Sequence, residues 1–116
     1  IGVIQPVNDI AQICKSKNII FHTDAAQCIG YLPLNLISRN ANMITLSSHK
    51  IYGPKGVGLL IIDEDINLEP LLFGGGQEFG FRPGTIPLPL IIGFAKAIER
   101  AINNTEKNIS KLYSYE

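Results

Sequence analysis

Lys50 holds a position that suits amine chemistry. It follows the apolar run Met43-Ile44-Thr45-Leu46 and precedes a glycine-rich turn, within the stretch SSHKIYGPKGVG that spans Ser47 to Gly58. An apolar neighbourhood holds a lysine partly out of water, disfavours its charged form and so favours the nucleophilic amine. Such an amine forms an imine with a carbonyl compound. Ser47 and His49 beside it offer polar groups that can hold a phosphate. The plainer reading is a surface loop that happens to contain a lysine. Lys55, inside Gly-Pro-Lys-Gly, competes for the same role, but that turn is expected to be exposed, with a hydrated and unreactive ammonium.

Two further polar groups fall at the ends of apolar runs: Asp24 with Gln27, and Arg82 with Thr85. With Lys50 they form the set that pyridoxal chemistry asks for. A carboxylate keeps the pyridine nitrogen protonated so that the ring accepts carbanion electrons, and a lysine carries the cofactor. Hydroxyls, an imidazole or free N–H groups hold the phosphate. A metal site drawn from His22, Asp24, Cys28 and His49 lacks any compact ligand spacing. A nucleotide loop is excluded because Gly-Pro-Lys-Gly-Val-Gly has neither the Gly-Lys-Ser/Thr ending nor the Gly-x-Gly-x-x-Gly order.

The elements that must place these groups can be read from periodicity. Val7, Ile10, Ala11 and Cys14 mark one face of a helix that starts after Pro6 and stops at Asn18, which makes Cys14 a small core residue. Ile19 to Asp24 is apolar and β-branched, as a buried strand requires, with His22 and Asp24 on one face. His22 itself reads as a satisfied core residue. A connection over Gly30–Asn40 precedes a second strand at 42–46 and a third at 56–62, and Asp63-Glu64-Asp65 reads as a turn. Helix followed by strand implies a parallel sheet, so Asp24 sits at the strand's carboxyl end, where open α/β sheets place ligands. Gly74-Gly75-Gly76 suggests close backbone approach or unusual φ/ψ. Ile91, Phe94, Ala95, Ile98, Ala101 and Ile102 predict one long amphipathic helix over 89–112.

Composition narrows the class. At 116 residues, 46% hydrophobic and 17% charged, the chain can build one modest core. Ten basic residues offset ten acidic ones without clustering, which argues against nucleic acid or an anionic membrane as partner. No apolar run has the length of a membrane span. Cys14 and Cys28 do not read as a disulfide framework and suggest a reducing compartment. The chain opens on Ile1 and ends without a cap signal, so a domain truncated at both ends is expected over 1–116.

The pieces HTDAAQ (22–27), SSHKIYGPKG (47–56), GGGQE (74–78) and RPGT (82–85) resemble the NifS/IscS-type cysteine desulfurases. These belong to the class V aminotransferase group of fold-type I pyridoxal phosphate enzymes. The resemblance implies an α/β fold in which this chain is part of the large cofactor-binding domain, a mostly parallel sheet flanked by helices. It implies Asp24 on the pyridine nitrogen, Gln27 on the ring hydroxyl, Ser47 and His49 on the phosphate, and Lys50 as Schiff-base lysine and proton carrier. Thr85 is similar to the threonine that reaches the phosphate bound in the neighbouring subunit of a homodimer. For Arg82 the resemblance supplies only a place in a motif.

The activity implied is conversion of L-cysteine to L-alanine, with sulfur passed to an acceptor such as an iron–sulfur scaffold, in the cytoplasm or behind an organellar address. The family's sulfur-accepting cysteine lies downstream of the Arg-x-Gly-Thr motif, whereas no cysteine follows Cys28 here. The upstream aromatic that stacks on the ring and the downstream arginine for the substrate carboxylate have no counterpart either. The chain is therefore expected to anchor the cofactor without carrying the sulfur chemistry. Another class V aminotransferase or lyase, or a non-catalytic truncated domain, is the alternative.

Overall fold

The computed structural model describes residues 3–33 and 40–115. The chain enters helix α1 (Val7–Ser16) from Pro6, whose missing N–H is no loss at a helix start. The helix stops because Asn18 takes a left-handed φ of 53°. The Ile19 N–H then donates to Cys14 O (2.9 Å) and the Asn18 N–H to Lys15 O (3.2 Å), which closes a Schellman motif. Of the apolar stripe, only Ala11 is buried, while Cys14 is half-buried.

Strands β1 (His22–Asp24) and β2 (Met43–Ser47) pair in parallel, with His22 opposite Met43 and Asp24 opposite Thr45. Strand β3 (Gly58–Ile62) runs antiparallel to β2, with Gly58 opposite Ser47 and Ile62 opposite Met43. The expected parallel pairing thus holds between β1 and β2, and β3 makes the described sheet mixed. The reason is chain length: the ten residues 48–57 between β2 and β3 are fewer than the crossover of about a dozen or more that a parallel neighbour needs. β1 is also shorter than the run Ile19–Asp24. Ile19 and Ile20 are exposed, and the Phe21 N–H is taken by the Asn42 side chain (2.9 Å), so the ladder begins at His22.

Ile44 and Leu46 point from β2 into a core with Ala25, Ile29, Ala41, Ile51, Phe94 and Ala97. The last two lie on α2 (Leu88–Asn103), which Pro87 precedes and Pro89 helps to start. The single helix expected over 89–112 is divided at Asn104 (φ −105°, ψ 5°), and α3 (Thr105–Tyr113) follows. Side chains intervene there: Asn104 Nδ2 donates to Arg100 O (2.7 Å) and Thr105 Oγ1 to Ala101 O (3.1 Å), the local competition that bends helices. The buried stripe is also rotated from the expected one. Ala95 is exposed and Ala97 buried, because the helix faces Gly53 and Pro54 through Ala97 and Gly93. Asn108 of α3 donates to Gly30 O (2.9 Å), fastening the helix pair to the segment after β1.

The connection read over Gly30–Asn40 falls partly outside the described residues. Asp63-Glu64-Asp65 forms the expected turn, with the Ile66 N–H donating to Asp63 O (3.0 Å). Beyond it, residues 65–87 hold one short 3₁₀ turn (Glu78–Gly80). Close approach is confirmed at Gly74, where a Cβ would lie 2.8 Å from the Pro83 ring, and not at Gly76, which faces open space.

Candidate active site

The carboxyl ends of β1 and β2 bring two groups of polar residues to one end of the sheet. Pairing continues one residue past Asp24, where the N–H of buried Ala25 donates to Thr45 O (2.9 Å). Asp24 is exposed, and its Oδ1 accepts the Ala26 N–H (2.9 Å), an Asx turn that orients the carboxylate and redirects the chain. Gln27 lies exposed in the next turn. His22 shares the exposed face with Asp24, as the strand period requires. Its Nε2 is 2.6 Å from Thr45 Oγ1. His22 is therefore satisfied but not a core residue, since β1 has no cover on that face among the described residues.

Ser47 ends β2, and residues Ser48–Ile51 form a 3₁₀ turn directly after it. Ser47 Oγ lies 3.1 Å from His49 Nδ1. A hydroxyl donating there leaves the His49 Nε2–H as a donor for a ligand. Lys50 projects from the same turn. The shelter expected for it is missing: His49, Lys50 and Lys55 are all exposed. Ile44 and Leu46 of β2 turn away into the core instead. What separates Lys50 from Lys55 is placement, since Lys50 shares its turn with His49 and Ser47, while Lys55 lies in the following Pro54–Gly56 loop.

The third group stays apart. Thr85 is exposed on the strap before α2, and among the described residues no hydrogen bond ties it to the turn of Lys50. Gln77 Oε1 accepts the Gly84 N–H (3.1 Å), and Arg82 Nη1 donates to Pro83 O (3.1 Å), so in this chain Arg82 serves its own loop. Cys28 is half-buried behind Asp24. Burial first, and the Asp24 charge second, push its thiol above the ordinary range, which suits packing rather than attack.

Sequence reasoning missed three participants in the turn. Ser48 is buried, Gly53 packs against it, and Tyr52 takes a left-handed φ of 63° to end the turn while standing 92% exposed. The run of small residues around Lys50 was the available signal, and it does not distinguish a loop from a tightly packed one.

Residues 1–115 match the family described as aminotransferase class V. The chain is 47% identical over 110 residues to a cysteine desulfurase IscS of Rickettsia typhi, covering 93% of this chain and 27% of that protein. It is 46% identical over 108 residues to a mitochondrial cysteine desulfurase of Drosophila melanogaster, covering 91% and 23%. Among solved structures, DndA of Streptomyces lividans superposes with a TM-score of 0.83 at 44% identity, over 91% of this chain and 31% of that one. The chain thus spans about a quarter of the length of the curated relatives it matches.

Proposed function

The chain belongs to the class V aminotransferase family, and from that premise we propose that it is the cofactor-anchoring segment of a pyridoxal phosphate-dependent cysteine desulfurase. One observation carries the reading. The register that sets Asp24 opposite Thr45 brings Asp24 and Ser47 to the same ends of adjacent parallel strands, with Lys50 in the turn that follows. The donor set fits the group: an oriented carboxylate, an amide, a hydroxyl paired with an imidazole, and a primary amine.

Bound pyridoxal phosphate supplies a carbonyl carbon for amines and a ring that accepts electrons from a substrate's α-carbon. Each residue would then have a part in holding or using it. Lys50 would provide the attaching amine and would move the proton at the substrate's α-carbon. The Asp24 carboxylate would hold a proton on the pyridine nitrogen, Gln27 would meet the ring hydroxyl, and Ser47 with the His49 Nε2–H would bind the phosphate. Thr85, exposed and without a tie to its own chain's Lys50 turn, suits a contact across a homodimer. The substrate is L-cysteine, the products are L-alanine and a sulfur atom passed to an acceptor protein such as an iron–sulfur scaffold, and neither Cys14 nor Cys28 is the sulfur-accepting thiol.

Among the described residues no helix is long and apolar enough to cross a membrane. A cytoplasmic or organellar setting accords with one relative being mitochondrial. The test is to incubate the protein with pyridoxal phosphate, reduce with borohydride and map the adduct. Modification at Lys50 is the expected result. Adducts centred on Lys55 or spread across the exposed lysines would overturn the assignment.

A further inference from the structure

The turn that carries Lys50 has an inner side that the proposed chemistry leaves unused. Ser48 is 0% exposed, and its Oγ has no hydrogen-bond partner among the described residues. Leaving a buried hydroxyl unpaired ordinarily lowers stability. The Ser48 carbonyl closes the turn by accepting the N–H of Tyr52 and that of Gly53 (3.0 Å). Facing the hydroxyl is the backbone of Gly53. A Cβ on residue 53 would collide with Ser48 Oγ and would lie 3.0 Å from both Ser48 O and Ala97 Cβ of α2. The neighbouring contact is just as close, since a Cβ on Gly93 would lie 3.0 Å from Pro54 Cγ. His49 and Lys50 then point outward, and Ile51 returns to the core.

We infer that Ser48 is a positioning residue for Lys50: its buried hydroxyl packs against the Gly53 backbone, which Ala97 of α2 also faces, and so fixes the turn from which the amine projects. The inference rests on the reading that Lys50 bears the cofactor. The hydroxyl acts through volume, because among the described residues its Oγ has no hydrogen-bond partner. Ser48→Ala removes an unpaired polar atom, which favours stability, and opens a small void, which opposes it. Gly53→Ala drives a methyl into occupied space. In the double variant that methyl takes the place the hydroxyl vacates, so the two changes compensate.

The experiment uses the full-length protein in its wild-type, Ser48→Ala, Gly53→Ala and doubly substituted forms. It reads the rate of borohydride-trapped attachment of pyridoxal phosphate to Lys50, the thermal midpoint, and amide hydrogen exchange at Tyr52 and Gly53 without cofactor. Ser48→Ala is expected to attach a few-fold more slowly with its midpoint unchanged or raised. Gly53→Ala is expected to slow attachment about tenfold or more, because a displacement near an ångström is costly to a reacting group. The double variant recovers most of the rate, and exchange at both amides rises in each single variant and falls back in the double. Wild-type rates and exchange in both single variants overturn the inference, as does a double variant no faster than Gly53→Ala. If Gly53→Ala does not fold, Ser48→Ala against the double variant decides by the same readouts. A wild-type protein that takes no cofactor on Lys50 overturns the functional reading instead, and the cofactor-free exchange pattern still decides the wedge.

Discussion

The β2–turn–β3 segment and the strap over residues 65–87 are both rich in glycine and proline, yet they are held in opposite ways. In the first, Ile44, Leu46, Ser48 and Ile51 are buried with Phe94 and Ala97 of α2, although Leu59, Leu60 and Ile61 of β3 stay exposed, and glycine serves to let backbone meet helix. In the second, Leu71 (95% exposed), Phe73 and Phe79 (96% exposed) have no cover among the described residues. Gln77 bonding to Gly84 is what holds that loop on itself. Phe79 and Glu78 both take positive φ there, which is strained for side-chain-bearing residues. Shape that comes from internal packing survives in the single chain, whereas a strap of exposed aromatics draws its definition from what it meets. Under the proposed function, the first region anchors the cofactor and the second reaches toward a second subunit.

Substitutions in each region test this contrast. The largest effect is expected from Asp24→Ala in the full-length enzyme. Under the proposed function the bound cofactor would bury a carboxylate–pyridinium pair, and losing one partner of such a pair would lower turnover by about 10²–10⁴ while the protein stays folded. Near-normal turnover by this variant would end the assignment. Phe94→Ala, in the packed region, should cost about 3–5 kcal/mol by denaturant titration. Gln77→Ala should cost about 1 kcal/mol, confined to the strap and visible as faster amide exchange at Gly84. Phe79→Ser should change the stability of the single chain by no more than about 0.5 kcal/mol but weaken association in sedimentation. A loss comparable to that of Phe94→Ala would show that the strap is packed after all.

A smaller effect separates the two sides of Asp24. The folded chain keeps the Cys28 proton longer than the unfolded chain, because burial and then the Asp24 charge raise its pKa. That contribution to stability is complete below the ordinary thiol range and is lost as pH rises through the raised value. Alkylation of native Cys28 near neutral pH should therefore be slower than that of the unfolded chain, and Asp24→Asn should speed it slightly. Equal rates in all three would show that the thiol is freely exposed.

The parts of the site legible in the sequence were those set by local rules. Asp24 and Ser47 were found because polar residues that end apolar runs mark strand ends, and the pairing of β1 with β2 then aligns them. The left-handed stop at Asn18 was equally local. What stayed hidden depended on distant neighbours. Ser48 reads as polar and exposed until α2 is laid over it, and Ala97 emerges as the contact residue only once Gly53 and Pro54 face the helix. The break at Asn104 was masked because the apolar period continues across it while side-chain bonds to Arg100 and Ala101 decide the backbone. The exposure of Lys50 could not be read from the apolar run before it, because alternate residues of that run point into the core.

The pairing of His22 with Met43 and Asp24 with Thr45 also makes the alignment of the site a discrete quantity. Strand partners shift by whole residues, each about 3.3 Å, and a slip of one turns every side chain to the opposite face. Asp24 and Ser47 therefore have no slightly wrong spacing available to them. An error of assembly would turn the Asp24 carboxylate toward the core or, if β2 slipped instead, draw Ile44 out of it, and the cost of desolvation or of lost burial would reject it before any cofactor arrived. The sheet acts as a ratchet for the two halves of the site, so that their alignment is checked by folding itself.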